Sequence, residues 1–123
     1  MHSWLSLDTL LHPGGGAGRL NQSLLVMHIG YCQITLRLPE SHSLKEKRGV
    51  VRSAVSRLRL QFNVSVAEVD HNELWQVVTL GICCVSNNSR HANEMLSRIV
   101  NHLEHMNGDW ELLGYELEVM SGL

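Results

Sequence analysis

A dense run of basic side chains between residues 37 and 59 is the part of this sequence best suited to binding chemistry. It holds seven basic residues against two acidic ones, a net charge of +5. Residues 60–123 hold two basic and nine acidic residues, a net charge of −7, and the whole 123-residue chain carries only −2. A basic segment in an otherwise acidic domain favours contact with a polyanion.

Several basic residues of this run share one side of a predicted helix. At about 100° per residue they fall in a sector roughly 60° wide, and they are Lys45, Arg48, Arg52 and Arg59. We call this set the basic edge. It suits contact with successive phosphates of a polyanion, which the charge pattern does not identify. The alternative is a solvated helix face whose long side chains cover apolar surface, and an isoelectric point near 6.4 argues against avid nonspecific nucleic-acid binding.

A second candidate surface lies on one face of a predicted β-sheet. Alternation along the strands places a set of side chains on the face away from the helices, and these include Tyr31, Arg37, Trp75 and Val77. An exposed apolar and aromatic patch favours a protein interface, either a homodimer or a contact with another partner. One alternative is a platform on which RNA bases stack, but the sequence lacks the aromatic block of RNA-recognition motifs. The other is a surface that no partner covers.

The polar turn around Asp70 and His71 is a third candidate, because a carboxylate beside an imidazole can act in acid–base catalysis. Turns commonly carry such residues for local hydrogen bonding, so an enzyme remains an alternative and we assign no catalytic residue. His102 and His105 are three residues apart, but no cysteine or carboxylate joins them at a metal-ligand spacing. The sequence therefore predicts no bound metal and no cofactor.

Hydrophobic periodicity predicts the elements that position these residues. Residues 28–38 alternate as a half-buried strand, and Ser43 and Glu46 match a capping box that starts a helix running to about Phe62. Residues 64–69 and 75–86 are rich in β-branched side chains and predict two further strands. Residues 90–106 predict a second amphipathic helix, and residues 110–119 alternate as a last strand.

The order β-α-β-β-α-β predicts an α+β, ferredoxin-like sandwich in which two helices cover one face of a four-stranded antiparallel sheet. The first and third strands should be central. Residues 27–123 have the size of a single domain. Residues 1–26 contain a Pro- and Gly-rich run, and we expect a flexible extension or a true start at Met27.

Cysteine content and hydropathy bear on the compartment. The chain has three cysteines, two of them adjacent, which make no disulfide framework and favour reduced thiols in the cytoplasm. No apolar run approaches the roughly 18–20 residues that span a bilayer. The sequence therefore predicts a cytoplasmic protein without membrane contact.

Four blocks of the sequence resemble the signature blocks of the YlxP-like family, a group of small bacterial proteins of unknown function. They are LRLPESHSLKEKR at 36–48, FNVSVAEVD at 62–70, LWQ at 74–76 and TLG at 79–81. The resemblance covers Met27 to about Met120 and implies a ferredoxin-like fold and a cytosolic location. Genes of this family often lie beside genes for translation initiation and ribosome maturation factors, which implies a ribosome or RNA context. The family has no established catalytic residues to carry over.

Overall fold

The computed structural model describes residues 26–105 and 110–121. The elements are β1 (His28–Arg37), α1 (Leu44–Gln61), β2 (Ser65–Asp70), β3 (Val77–Ser86), α2 (Ser89–His105) and β4 (Glu111–Met120). The strands form one antiparallel sheet in the order β2-β3-β1-β4. This confirms the predicted ferredoxin-like fold with β1 and β3 at its centre. Residues 1–25 of the predicted extension lie outside the described residues.

The hydrophobic core lies between the two helices and one face of the sheet. Alternate residues of β1 are buried there, because every second side chain of a strand points to the same face. The core side chains of β1 are Cys32, Ile34 and Leu36, and those of α2 include Leu96 and Ile99. Each fully buried Leu or Ile stabilises the fold by roughly 1.5–3 kcal/mol relative to an exposed position.

Gly30 shows how closely α2 packs on β1. A Cβ atom added at this glycine would lie 2.8 Å from Cδ1 of Leu96. The hydrogen at this position therefore leaves room for the Leu96 side chain, which would have to shift if Gly30 carried a Cβ atom.

The start of α1 follows the capping-box pattern with one difference. Oγ of Ser43 accepts a hydrogen bond from the Glu46 amide at 3.1 Å, as predicted. Oε2 of Glu46 accepts from the amide of His42 at 2.7 Å, rather than from the amide of Ser43. Both bonds satisfy backbone donors that would otherwise be unpaired at the helix start.

β3 begins at Val77, two residues later than the sequence predicts. Residues 74–76 belong instead to the connection after β2, in which the Leu74 amide donates to the carbonyl of His71 at 3.1 Å. The side chain of Gln76 then donates to the carbonyls of Pro39 and Ser41, each at 3.2 Å. This connection is therefore attached to the loop that leads into α1.

No helix in the described part of the chain is long and apolar enough to cross a bilayer.

Candidate nucleic-acid interface

The basic edge follows the exposed side of α1, and at Arg59 it contacts β2. All of its members are exposed, but Arg59 differs from the others because its Nη2 donates to the carbonyl oxygen of Val66 at 3.0 Å. Val66 belongs to β2, the outer strand of the sheet on that side. Arg59 therefore connects the end of α1 to the sheet edge, and this contact occupies part of its guanidinium.

Within the described residues, Lys45, Arg48 and Arg52 have no such attachment. Among the described residues, the ion pairs within 4.0 Å involve other cations, Arg37 with Glu111 and Lys47 with Glu68. The three exposed cations thus follow α1 with their charges facing solvent. Their spacing of three and four residues keeps them on neighbouring turns of one helix side.

Arg37 forms an ion pair at the surface with β4, the outer strand at the edge opposite β2. Its Nε lies 3.2 Å from Oε1 of Glu111, and both side chains are more than half exposed. Such a pair contributes at most about 1 kcal/mol. It nevertheless compensates one of the seven positive charges of the basic run.

Lys47 is the most unusual cation of the segment, because its side chain is only 2% exposed. Its Nζ lies 2.9 Å from Oε2 of Glu68, and it donates a hydrogen bond to the carbonyl oxygen of His71. The contact with Glu68 is an ion pair whose angles fall outside hydrogen-bond geometry. Lys47 therefore holds the first turn of α1 against β2 and the turn that follows it.

The sequence contains a signal of the burial of Lys47, which its positive charge alone does not reveal. Lys47 precedes Ala54 by seven residues and Leu58 by eleven, which puts all three on the same helix face. Ala54 and Leu58 are both buried. A lysine in the middle of an apolar stripe needs a buried partner, because an unpaired buried charge is costly. The periodicity could thus have predicted the burial but not the partner.

The turn at Asp70 and His71 is built from local contacts. His71 has a φ of 64°, the left-handed region that few non-glycine residues adopt. Oδ1 of Asp70 accepts from the backbone amide of His71 at 2.7 Å. Nδ1 of His71 lies 2.8 Å from Oγ1 of Thr79, which in turn lies 3.1 Å from Oγ1 of Thr35. The carboxylate therefore contacts the His71 amide rather than its imidazole, and the imidazole covers the open face of the sheet.

The structure brings together only part of the predicted sheet surface. Arg37 and Val77 are direct partners in the β1–β3 register, and Trp75 lies just before β3 with 54% of its surface exposed. Trp75 lines an open groove of about 400 Å³ in the connection that leads into β3. Tyr31 is six residues from Arg37 along β1, roughly 20 Å away at the rise of a strand. It lies in a separate part of the open face.

Tyr31 contacts the acidic strand β4. Its hydroxyl donates a hydrogen bond to Oε2 of Glu118. This bond, together with the negative charges of Glu118 and Glu116, raises the pKa of Tyr31 above its ordinary value. Of the four predicted surface residues, Tyr31 and Arg37 thus have their polar groups paired with β4 carboxylates.

The thiols and imidazoles show no reactive arrangement in the described part of the chain. Burial raises the pKa of the Cys32 thiol to about 11 and also raises that of Cys84, which disfavours the reactive thiolate. His102 packs edge-on against Phe62, with ring centroids 5.9 Å apart, while Nδ1 of His105 lies 2.8 Å from the Asn101 carbonyl. Within residues 26–105 and 110–121, no three side chains of His, Cys, Asp or Glu form a metal-binding group.

Comparison with known proteins identifies relatives without an assigned activity. A family model described as "Protein of unknown function (DUF503)" matches residues 29–117. The "Uncharacterized protein YlxP" of Bacillus subtilis (strain 168) is 30% identical over 76 residues, which cover 62% of this chain and 83% of that protein. The family match extends from β1 into β4, so it includes the basic edge, Lys47 and Glu68.

Proposed function

This chain belongs to the DUF503 family, whose function is unknown, and from that premise we propose that it is a non-enzymatic RNA-contacting domain. It binds the phosphate backbone of RNA or of a ribosomal particle through Lys45, Arg48 and Arg52. The family match supports the YlxP-like resemblance predicted from the four sequence blocks.

The observation that carries this proposal is the division of the basic run into paired and unpaired cations. Arg37 and Lys47 face carboxylates, and Arg59 donates to a backbone carbonyl. Exposed cations can neutralise phosphates and release their counterions, whereas cations already paired within the protein gain little from a phosphate. On the basic edge, Lys45, Arg48 and Arg52 make no such contact among the described residues, and they therefore supply the binding charge.

Arg57 provides a matched control on the same helix. It is exposed and lies nine residues after Arg48, which places it about 180° around the helix axis. A charge reversal at Arg57 changes the net charge of the protein as much as one at Arg48. Only its position relative to the basic edge differs.

The test is the affinity for ribosomal RNA and for ribosomal particles at about 50 and 200 mM salt. We expect Arg48→Glu to weaken binding at the lower salt by roughly tenfold, and Arg48→Glu/Arg52→Glu to weaken it further. Each lost phosphate contact should also reduce the slope of log affinity against log salt by about 0.7–0.9. Circular dichroism shows whether each variant remains folded.

Two results would contradict the proposal. The first is a wild-type protein that binds neither probe at the lower salt. The second is an Arg57→Glu variant that loses as much affinity as Arg48→Glu, because the effect would then come from net charge and not from the basic edge.

A second candidate function rests on the exposed apolar residues beside the start of β3. Trp75 and Leu74 are 54% and 48% exposed, and large exposed aromatic side chains are typical of protein interfaces. The function would be homodimerisation through this part of the open sheet face. Sedimentation of the wild type as a dimer and of Trp75→Glu as a monomer would support it, whereas a monomeric wild type at high concentration would exclude it.

A further inference from the structure

The two outer strands of the sheet differ in how their free backbone edges are covered. β2 has six residues, a register shift between Glu68 and Asp70, and a carbonyl at Val66 that accepts from Arg59. β4 has ten residues. Its register with β1 shifts between Leu112 and Gly114 and is then regular from Gly114 to Met120. Among the described residues, no side chain hydrogen-bonds to the β4 backbone. A long edge with free amides and carbonyls is a template for a further strand.

A groove follows this edge between α2 and β4. It consists of two adjoining cavities of about 380 and 490 Å³, both of which are lined by Asn93 and Leu117. Ser97 and Asn101 continue the α2 wall, and Tyr115, which is 55% exposed, continues the β4 wall. Apart from Val100, the side chains of α2 that line the groove are small or polar, so an extended chain can lie beside β4 without displacing the helix.

The charges along this edge are mostly negative. β4 contains Glu111, Glu116 and Glu118 and no basic residue. Arg37 already pairs with Glu111, which leaves Glu116 and Glu118 on the open face of the sheet. Glu104 lines one end of the groove, and Arg90 lines the other.

We propose that this groove binds an extended basic segment of another protein, which adds to the sheet as a fifth strand beside β4. Addition of a strand to an exposed edge is a common mode of peptide recognition. Alternate side chains of the added strand point to opposite faces. One set is lysine or arginine and lies near Glu116 and Glu118, and the other set is apolar and packs against Tyr115 and Leu117 in the groove.

Charge complementarity favours this occupant over a second copy of the chain. If β4 paired with the β4 of a second copy, further glutamates would come close to Glu116 and Glu118, neither of which has a cation as partner among the described residues. Like charges on neighbouring strands are destabilising. A basic strand compensates the same charges.

The experiment measures binding of labelled peptides to the full chain by fluorescence anisotropy. The probe is a seven-residue peptide that alternates lysine and valine. One control peptide carries glutamate in place of lysine, and the other carries N-methyl groups on alternate backbone amides. We expect the glutamate peptide to bind at least about tenfold more weakly because of charge. The peptide methylated at the amides that face β4 should lose a similar factor, because it cannot donate to the strand.

Protein variants locate the site. Glu116→Lys should weaken binding of the lysine–valine peptide roughly tenfold, and Ser97→Trp should do the same by filling the groove. Glu94→Lys is the control for charge, because Glu94 is exposed on α2 and does not line the groove; it should change the affinity less than about twofold. If Ser97→Trp fails to fold, Glu116→Lys and the methylated peptide still test the proposal.

Several outcomes would overturn the proposal. The first is that the basic peptide does not bind at concentrations up to about 1 mM. The second is that the methylated peptide binds as tightly as the unmethylated one. The third is that Glu116→Lys binds the basic peptide with the affinity of the wild type. Self-association of the wild type that Ser97→Trp abolishes would identify a second copy as the occupant and would also overturn it.

Discussion

Lys45 and Lys47 lie two residues apart on α1, yet one faces solvent and the other is buried. The difference follows from the helix, because two residues turn the side chain by about 200°. Lys47 thereby joins the face that carries Leu58, and Lys45 joins the basic edge. A local count of charges therefore does not measure a binding surface. The +5 of this segment contains both cations that hold the fold and cations that are free for a partner.

The inner face of α1, which carries Lys47, Ala54 and Leu58, accommodates a lysine because two acceptors compensate its burial. Removing an ammonium ion from water costs several kcal/mol. Glu68 supplies the opposite charge, and the carbonyl of His71 accepts a hydrogen bond. Lys47 consequently ties α1 to two parts of the chain that follow it, β2 and the left-handed turn at His71.

The strongest way to test this comparison is to remove the two lysines separately. Lys47→Ala should lower the free energy of unfolding by roughly 3–5 kcal/mol, because it leaves Glu68 without its partner. Lys45→Ala should change it by about 0.5 kcal/mol or less. Urea denaturation of both variants measures the difference, and similar values for the two would show that the ion pair does not stabilise the fold.

A double variant separates the charge from the packing. Lys47→Ala/Glu68→Gln should recover a large part of the stability lost in Lys47→Ala, because no carboxylate then remains without its cation, while the packing of the lysine stem is still absent. A double variant as unstable as Lys47→Ala would assign the loss to packing of the lysine stem.

Substitution of an apolar residue on the inner face should cause the next largest loss of unfolding free energy. Leu58 is fully buried and Leu60 is 86% exposed, so the same substitution tests both sides of the helix. Leu58→Ala should cost roughly 2–5 kcal/mol of unfolding free energy, whereas Leu60→Ala should cost about 0.5 kcal/mol. Equal costs in thermal or urea unfolding would mean that the helix faces are wrongly assigned.

Arg59 lies on the basic edge but also contacts the sheet, so it tests whether a cation with a contact inside the protein still contributes to RNA affinity. Arg59→Ala should cost about 1 kcal/mol, since it removes one hydrogen bond from a partly exposed charged donor, and Arg48→Ala should cost less than about 0.5 kcal/mol. For RNA affinity the order should reverse, with Arg48→Ala the weaker binder. If Arg59→Ala has the larger effect on RNA affinity, the interface is not defined by Lys45, Arg48 and Arg52 alone.

Periodicity and local hydrogen bonding determined most of the fold from the sequence. Alternation in residues 28–38 predicted β1, the Ser43 cap predicted the start of α1, and the order of elements predicted the sheet, which the structure confirms. The helix phase also placed the basic edge on one side of α1, and its role in RNA contact stays a prediction. These features depend on residues within one or two turns of each other, which a sequence shows directly.

Only the tertiary structure decided which cations have a partner among the described residues and which do not. Lys47 finds its acceptor at His71, 24 residues away along the chain, and Arg59 finds Val66 across the gap between α1 and β2. The groove beside β4 likewise exists only because α2 packs at a particular distance from an edge strand. Periodicity defines which face of an element is buried, but the partner on the other side depends on how distant segments pack, and that information is not local.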